Sequence, residues 1–253
     1  MDKPPIDKIV TAAVLLIGDE ILSGRTQDTN LRTIAQFLAP LGVEVREGRV
    51  VPDVHETIIA TLNELRARYN YVFTTGGIGP THDDITADSI AKAFGVEIDE
   101  DPRALAMLSE RFSQAELNPA RRRMARIPKG AALVPNAISS APGFWIGNVI
   151  VMAGVPSVMH AMMDTVGPQL KTGRRVLVET IAAGAIPEGA YAAGLEKIVH
   201  AHAEVSIGSY PAFTSTGVRN QIVLRSREAD ALAQAASEVR KLIEELSSLA
   251  GRR

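Results

Sequence analysis

Hydrophobic and polar positions along the first two thirds of the chain alternate between short β-branched runs and longer amphipathic stretches. Ile9–Ile17 is a continuous apolar run, the pattern of a strand covered on both faces. Gly18-Asp19-Glu20 ends it, and Ile21 to Gln27 reads as a loop. Asp28, Thr29 and Asn30 then offer capping side chains to a helix whose apolar residues Leu31, Ile34, Leu38 and Leu41 recur at helical spacing. Gly42 stops that helix, and Val43–Val51 reads as the next strand. Pro52-Asp53 opens a helix with Val54, Ile58, Leu62 and Leu65 on one face. Tyr71-Val72-Phe73 is a third buried strand, and it breaks into T-T-G-G-I-G-P at 74–80, where glycines and a proline forbid continued strand. Asp83 or Asp84 is placed to cap the helix that follows through Ile90, Ala91 and Phe94.

Farther on, Pro102–Phe112 reads as a helix. Residues 118–129 read as a basic helix carrying Arg121, Arg122, Arg123, Arg126 and Lys129. A loop over 136–144 leads to short strands around Trp145 and over Asn148–Met152. Gly154-Val155-Pro156-Ser157 then turns into a helix from Val158 to about Leu170, with Pro156 suited to a first helical turn. After Lys171-Thr172-Gly173 the order changes. A strand over 174–181, a helix over 188–202, two strands over 205–210 and 218–225, and a closing helix on Leu232, Val239, Leu242, Leu246 and Leu249 form a small α+β unit. The pattern therefore predicts two domains. Residues 1–172 form a parallel sheet with helices on both sides, and residues 173–253 form the smaller α+β domain.

Composition narrows the function classes. Aromatic residues make up 4% of the chain, which disfavours a base-stacking platform for single-stranded nucleic acid, and a net charge of −2 gives no general pull on DNA or an anionic membrane. The absence of cysteine excludes disulfides, thiolate catalysis and Cys-ligated zinc. No apolar run approaches transmembrane length, and Met1–Lys8 lacks the basic and apolar regions of a signal peptide, so a cytoplasmic location is expected.

Parallel sheets bind ligands at the carboxyl ends of their strands. Three polar clusters fall at those ends: Gly18-Asp19-Glu20, Asp53, and the 76–84 loop with Gly76, Gly77, Gly79, Thr81, Asp83 and Asp84. A glycine loop between a strand end and a helix offers free N–H groups to phosphate or carboxylate oxygens, and adjacent acids are hard ligands of the kind that hold Mg²⁺ beside a phosphate. The loop fits neither G-x-x-x-x-G-K-[ST] nor G-x-G-x-x-G. The plainer alternative is a tight turn with an acidic cap. The basic run at 121–129 reads either as a solvated face or as a rim that neutralises a polyphosphate. Among the histidines, His82 alone falls in the site loop, and His200-Ala-His202 lacks a nearby third ligand.

Four stretches together resemble the amino-terminal domain of CinA-type (competence/damage-inducible) proteins, in the molybdopterin-binding fold superfamily. They are G-D-E-I-L-S-G at 18–24 with D-T-N at 28–30, T-T-G-G-I-G-P-T-H-D-D-I-T at 74–86, A-P-G-F at 141–144, and S-I-G-S-Y-P at 206–211. The resemblance implies a three-layer α/β sandwich with a mostly parallel sheet, plus the small α+β domain. It also implies a nucleotide or pterin phosphate at the glycine loop, with Gly76, Gly77 and Gly79 as its phosphate loop and Thr75 and Thr81 beside it. Asp28, with Asn30, falls where relatives place an acid at the ligand loop. Asp53 and Asp84 match functional aspartates of the molybdopterin adenylyltransferases. Gly154 and Pro156 fall in a second ligand wall, where relatives commonly read Leu-Pro-Gly-x-Pro against Met152-Ala153-Gly154-Val155-Pro156 here, and often Glu where Val158 stands. Relatives form homo-oligomers, so a homo-oligomer is expected. No deamidase domain is read beyond Arg253, and nicotinamide-nucleotide deamidation is not carried over.

The resulting expectation is an enzyme. A divalent metal (Mg, Mn or Co), held by Asp84 with Asp53 or Asp83, would promote hydrolysis of a nucleotide diphosphate such as ADP-ribose or FAD, with no organic cofactor required. The alternatives are a pterin-binding or pterin-adenylylating protein and a non-catalytic nucleotide-binding module. All three readings expect a small-molecule ligand, with no nucleic acid or membrane partner.

Overall fold

The structure, a computed structural model, describes residues 8–215 and 217–250. Residue contacts divide the chain into two compact units, Met1–Arg174 and Arg175–Arg253.

In the first unit, β1 (Val10–Ile17) leads through a short α1 (Asp19–Leu22) and α2 (Asn30–Leu38) to β2 (Val43–Val51), α3 (His55–Arg68) and β3 (Tyr71–Thr75). Next come α4 (Thr86–Phe94), β4 (Ile98–Glu100), α5 (Pro102–Ser109), α6 (Pro119–Arg122) and β5 (Arg126–Pro128). The unit closes with β6 (Ala132–Val134), β7 (Gly143–Ile146), β8 (Val149–Met152) and α7 (Pro156–Val166). The main sheet has the order β2-β1-β3-β8-β7-β6. Its first four strands are parallel and the last two antiparallel, while β4 and β5 form a separate antiparallel pair.

The continuous apolar run of β1 is explained by the layers on either side of it. Ala12, Val14 and Leu16 pack with Ile34 and Leu38 of α2 and Met159 and Met163 of α7. Ala13, Leu15 and Ile17 pack on the other face with Ile58, Leu62 and Leu65 of α3, Ile90 of α4 and Leu108 of α5. A strand period of two sends alternate residues to opposite faces, so a strand between two helical layers is apolar throughout. This is a mixed α/β sandwich with a mostly parallel central sheet.

Four parallel strands end on one edge of that sheet. Register pairs Ile17 with Val51, Leu16 with Thr75, and Thr75 with Met152. The loops that follow these strands therefore meet at one place.

The second unit contains β9 (Leu177–Gly184), α8 (Glu188–Ala201), β10 (Ser206–Thr214), β11 (Gly217–Ser226) and α9 (Ala229–Ala250). Its antiparallel sheet has the order β10-β11-β9, and Ile181, Ile222 and Leu224 pack with Tyr191 and Ile198 of α8 and Ala236 and Val239 of α9.

Several local expectations are corrected. Residues 19–22 are a helical turn rather than loop. Neither Asp83 nor Asp84 caps α4, which starts at Thr86 without a side-chain cap, because Asp84 is engaged by Thr81. The basic helix over 118–129 is instead α6, a 3-10 turn over Arg123–Ala125, and strand β5. The strands β4, β5 and β6 are too short to show a period in sequence.

The two clusters flanking the main sheet draw only on residues up to Leu170, and the third draws on Ile181 onward. A chain ending at Arg174 is therefore expected to melt in one cooperative transition. Absence of a transition by calorimetry, together with collapsed amide dispersion, would show that the first unit depends on the second.

Candidate functional site

The glycine loop is wedged between β1 and β8. Gly76 has φ +103°, and a side-chain carbon there would run into the main-chain carbonyl of Ile17. Gly77 has φ +65°, and the space beside it is taken by the Thr86 hydroxyl. Gly76 N–H donates to the Met152 carbonyl (3.2 Å), and the Gly77 carbonyl accepts from Thr86 N–H (2.9 Å). The expectation that the N–H groups of Gly76 through Gly79 are all open is thus corrected, since that of Gly76 is consumed within the sheet. The N–H groups of Gly77, Ile78 and Gly79 donate to no protein acceptor among the described residues.

The acids gather beside this loop. Gly18 N–H donates to the Val51 carbonyl (3.1 Å), which ties the end of β1 to the end of β2. Asp19 N–H donates to Asp53 Oδ2 (3.0 Å), and the Glu20 carboxylate folds back over Gly18. Burial holds the Asp53 carboxyl above the usual carboxylate range. The Asp19 N–H bond opposes this, and the charges of Asp19, Glu20 and Asp83 reinforce it. No ion pair is present on Asp19, Glu20 or Asp53 among the described residues. Asp83 is exposed, with His82 4.0 Å from its carboxylate. Asp84 Oδ2 accepts from both Thr81 N–H (2.7 Å) and Thr81 Oγ1 (2.6 Å), and its carboxylate lies against Gly79. The loop acid whose charge acts on Asp53 is therefore Asp83.

The remaining sequence candidates frame the pocket. Asp28, just before the N-cap Thr29, spends its oxygens on the first-turn N–H groups of Asn30 (3.0 Å) and Leu31 (3.1 Å). Asn30 is buried and donates through Nδ2 to the Gly154 carbonyl (2.8 Å) and Thr75 Oγ1 (3.4 Å). It thereby ties α2 to the ends of β3 and β8. Gly154 packs against Gly76, close enough that a side chain would crowd its Cα, and Pro156 opens α7.

Three polar atoms here are buried without a hydrogen-bond partner: Asn30 Oδ1, Thr74 Oγ1 and Thr86 Oγ1. Buried polar groups are ordinarily satisfied, and these three orphans cluster around one loop. Thr74 and Thr86 lie within the glycine motif, but nothing in the sequence separates their hydroxyls from surface ones.

His82 is fully exposed, 4.0 Å from Asp83. His55 Nδ1 meets Ser89 Oγ (2.8 Å) beneath α4, and His202 pairs with Glu238. Among the described residues, no cluster of three His, Cys, Asp or Glu side chains is placed to hold a metal ion by itself. The donor set fits a hard cation held by one or two carboxylates, with ligand phosphates completing its shell, which is the usual mode of Mg²⁺. A larger cleft of about 600 Å³ lies at the amino ends of the strands, beside Asn70, Tyr71 and Trp145. It shares no residue with the orphaned atoms or the acids. No helix among the described residues is long and apolar enough to cross a membrane.

Residues 13–172 match the family described as "Probable molybdopterin binding domain", and residues 176–250 match "FAD synthase, middle domain". A CinA-like protein of Citrifermentans bemidjiense is 41% identical over 245 residues, covering 90% of this chain and 57% of that protein. This chain thus spans little more than half the length of that relative. A protein of Caldivirga maquilingensis is 35% identical over 208 residues, 79% of this chain and 81% of its own. The crystal structure of a CinA protein of unknown function from Thermoplasma acidophilum is similar with a TM-score of 0.60 at 37% identity. That match covers 63% of this chain and 96% of the other.

Proposed function

The chain belongs to the CinA-like proteins of the probable molybdopterin-binding domain family, and on that premise we propose that it is a divalent-metal-dependent hydrolase of a nucleotide diphosphate such as ADP-ribose or FAD. The family itself implies a small-molecule ligand, a pterin or a nucleotide. The observation that carries the finer reading is the convergence of Asp19, Glu20, Asp53 and Asp83, with no ion pair on the first three, beside open N–H groups of a glycine loop. Acids alone would repel a phosphate, and glycine N–H groups alone would only bind one. Together they suit a diphosphate that arrives with a cation. The match of residues 176–250 to the FAD synthase middle domain supports a nucleotide.

When bound, a divalent cation would offset the charge that builds on the diphosphate and lower the pKa of its water. Asp84, with Asp53 or Asp83, would hold it. Gly77, Ile78 and Gly79 hold the phosphate that departs. Thr81 fixes the Asp84 carboxylate through its N–H and hydroxyl, so that Oδ1 remains to act. In the reaction a water oxygen bonds to one phosphorus, the bridging P–O bond breaks, and a proton is released. The products are AMP and the other phosphate ester.

Purified protein with Mg²⁺, Mn²⁺ or Co²⁺ is expected to release AMP from ADP-ribose or FAD, read by chromatography, and EDTA is expected to stop it. The pterin reading draws on the description of the first matched family. It takes over if no metal gives AMP from either substrate while molybdopterin with Mg-ATP yields an adenylylated pterin.

A further inference from the structure

We infer that Arg123 is the protein's cationic ligand for a phosphoryl group, seated at the mouth of the cleft between the glycine loop and the 3-10 turn over Arg123–Ala125. Gly77, Ile78, Gly79, Asp84 and Arg123 line this cleft. The identification of that phosphoryl group as part of a nucleotide diphosphate rests on the function proposed above. The anion-binding role of Arg123 does not.

The basic run that looked uniform in sequence is sharply divided in the structure. Arg121 lies over the Phe112 ring (4.3 Å to its centre), donates to the Glu116 carbonyl (2.9 Å) and is 3.8 Å from the Glu116 carboxylate. Arg122 is forked onto Glu100. Arg126 is forked onto Asp88, at 2.9 and 2.7 Å, and Lys129 pairs with Glu97 at 3.1 Å. Four of the five charges are thus already answered by carboxylates. Arg123 has no carboxylate partner among the described residues. Its single bond is a long one, from Nη2 to the Asp84 main-chain carbonyl (3.3 Å), and its Nε is buried with no acceptor at all.

A buried charged donor without an acceptor is costly, and the guanidinium fork matches two oxygens of a phosphate. The turn that carries Arg123 is held in place, since Ala125 is fully buried and its carbonyl accepts from Asp101 N–H (2.8 Å). Arg123 is therefore held ready in the cleft instead of swinging freely in solvent. The same cleft presents the glycine-loop residues whose N–H groups lack protein acceptors. A single phosphoryl group there can be bound by Arg123 and the loop together, and because Arg126 on the same lining is spent on Asp88, Arg123 supplies the cleft's unpaired positive charge.

The test is calorimetric titration of the full chain with inorganic pyrophosphate in the presence of Mg²⁺, comparing wild type, Arg123→Gln, Arg123→Lys and Arg121→Gln. Arg123→Gln is expected to weaken binding roughly ten- to hundredfold, as for loss of hydrogen bonds to a charged group. Lysine keeps the charge without the fork and should recover only part of that loss. Arg121→Gln should bind as wild type. The salt dependence of binding should become shallower in Arg123→Gln, an effect that a merely structural residue would not produce. If wild type fails to bind pyrophosphate, or binds it no better than Arg123→Gln, the assignment is overturned. Should Arg123→Gln not fold, equal affinity of Arg123→Lys and wild type would overturn the fork. Arg123-dependent pyrophosphate binding without AMP release would sink the hydrolase and leave this site standing. AMP release at wild-type rate and KM by Arg123→Gln would do the reverse.

Discussion

Asp53→Asn is expected to lower AMP release from ADP-ribose and FAD by roughly a hundredfold or more, the scale on which one preorganised electrostatic group acts in catalysis. In the same variant, the metal-free protein should become more stable. Both effects follow from one observation: the Asp53 carboxyl is held above the usual range first by burial and then by the charges of Asp19, Glu20 and Asp83. An acid whose folded pKa exceeds its unfolded value favours the proton in the folded state. Below both values the group is neutral in each state and contributes nothing. As pH rises from the unfolded pKa to the raised folded one, ionisation increasingly favours the unfolded chain, and above that window the whole penalty remains. The amide never ionises, so its advantage over wild type should be absent in acid, grow through that window and level off at neutral pH. The amide oxygen can still accept the Asp19 N–H, which preserves the tie between the two strand ends. Added Mg²⁺ should raise the melting temperature of wild type more than that of the variant, since the cation relieves a repulsion the variant lacks. Melting curves across pH, with and without metal, check this. An Asp53→Asn protein that hydrolyses normally, or that is less stable than wild type at neutral pH without metal, would remove Asp53 from the centre of the acidic cluster.

Gly76→Ala should be among the most damaging single methyl groups in the first unit. At φ +103° an L-residue is strained, and the new carbon would meet the Ile17 main-chain carbonyl, which cannot move without shifting the end of β1. Left-handed strain of about 1–2 kcal/mol adds to overpacking of about 1–3 kcal/mol, for a destabilisation of roughly 2–5 kcal/mol. At about 2–4 °C per kcal/mol for a unit of this size, the melting temperature should fall by roughly 4–20 °C. Gly95→Ala is the control. Gly95 has φ +66° but nothing lies within 4 Å of a carbon added there, so only the strain of about 1–2 kcal/mol remains. Chemical denaturation of the two variants separates strain from collision. Equal losses would mean that the wedge between the loop and β1 is not tight.

Much of the α/β architecture was legible because its cause is local. Ile9–Ile17 announces a strand between two helical layers through its unbroken apolar run, and the structure places its alternate residues in two separate clusters. The glycines at 76, 77 and 79 stop a strand wherever they occur. The misreadings also have local causes. Asp83 and Asp84 stand where a cap would stand, but Thr81 lies nearer to Asp84 in space than the first turn of α4 does. The basic run at 118–129 has helical composition, yet β5 must pair with β4, and that long-range pairing overrides propensity after Ala125.

The sequence by itself determined the order of the longer strands and helices, the glycine loop and the family, because these rest on residue type and spacing within a few turns of chain. Only the tertiary structure decided which groups are left open for a ligand. Gly76 N–H is lost to Met152, which lies 76 residues away, while its neighbours stay free because of the parallel register of β3 and β8. Arg122 and Arg126 are answered by acids 22 and 38 residues away, and Arg123 between them is not. Charge pairing and hydrogen-bond satisfaction depend on distances of a few ångströms between segments remote in sequence. A run of identical arginines therefore cannot reveal which one is open, and the packing of α4 and β4 against it does.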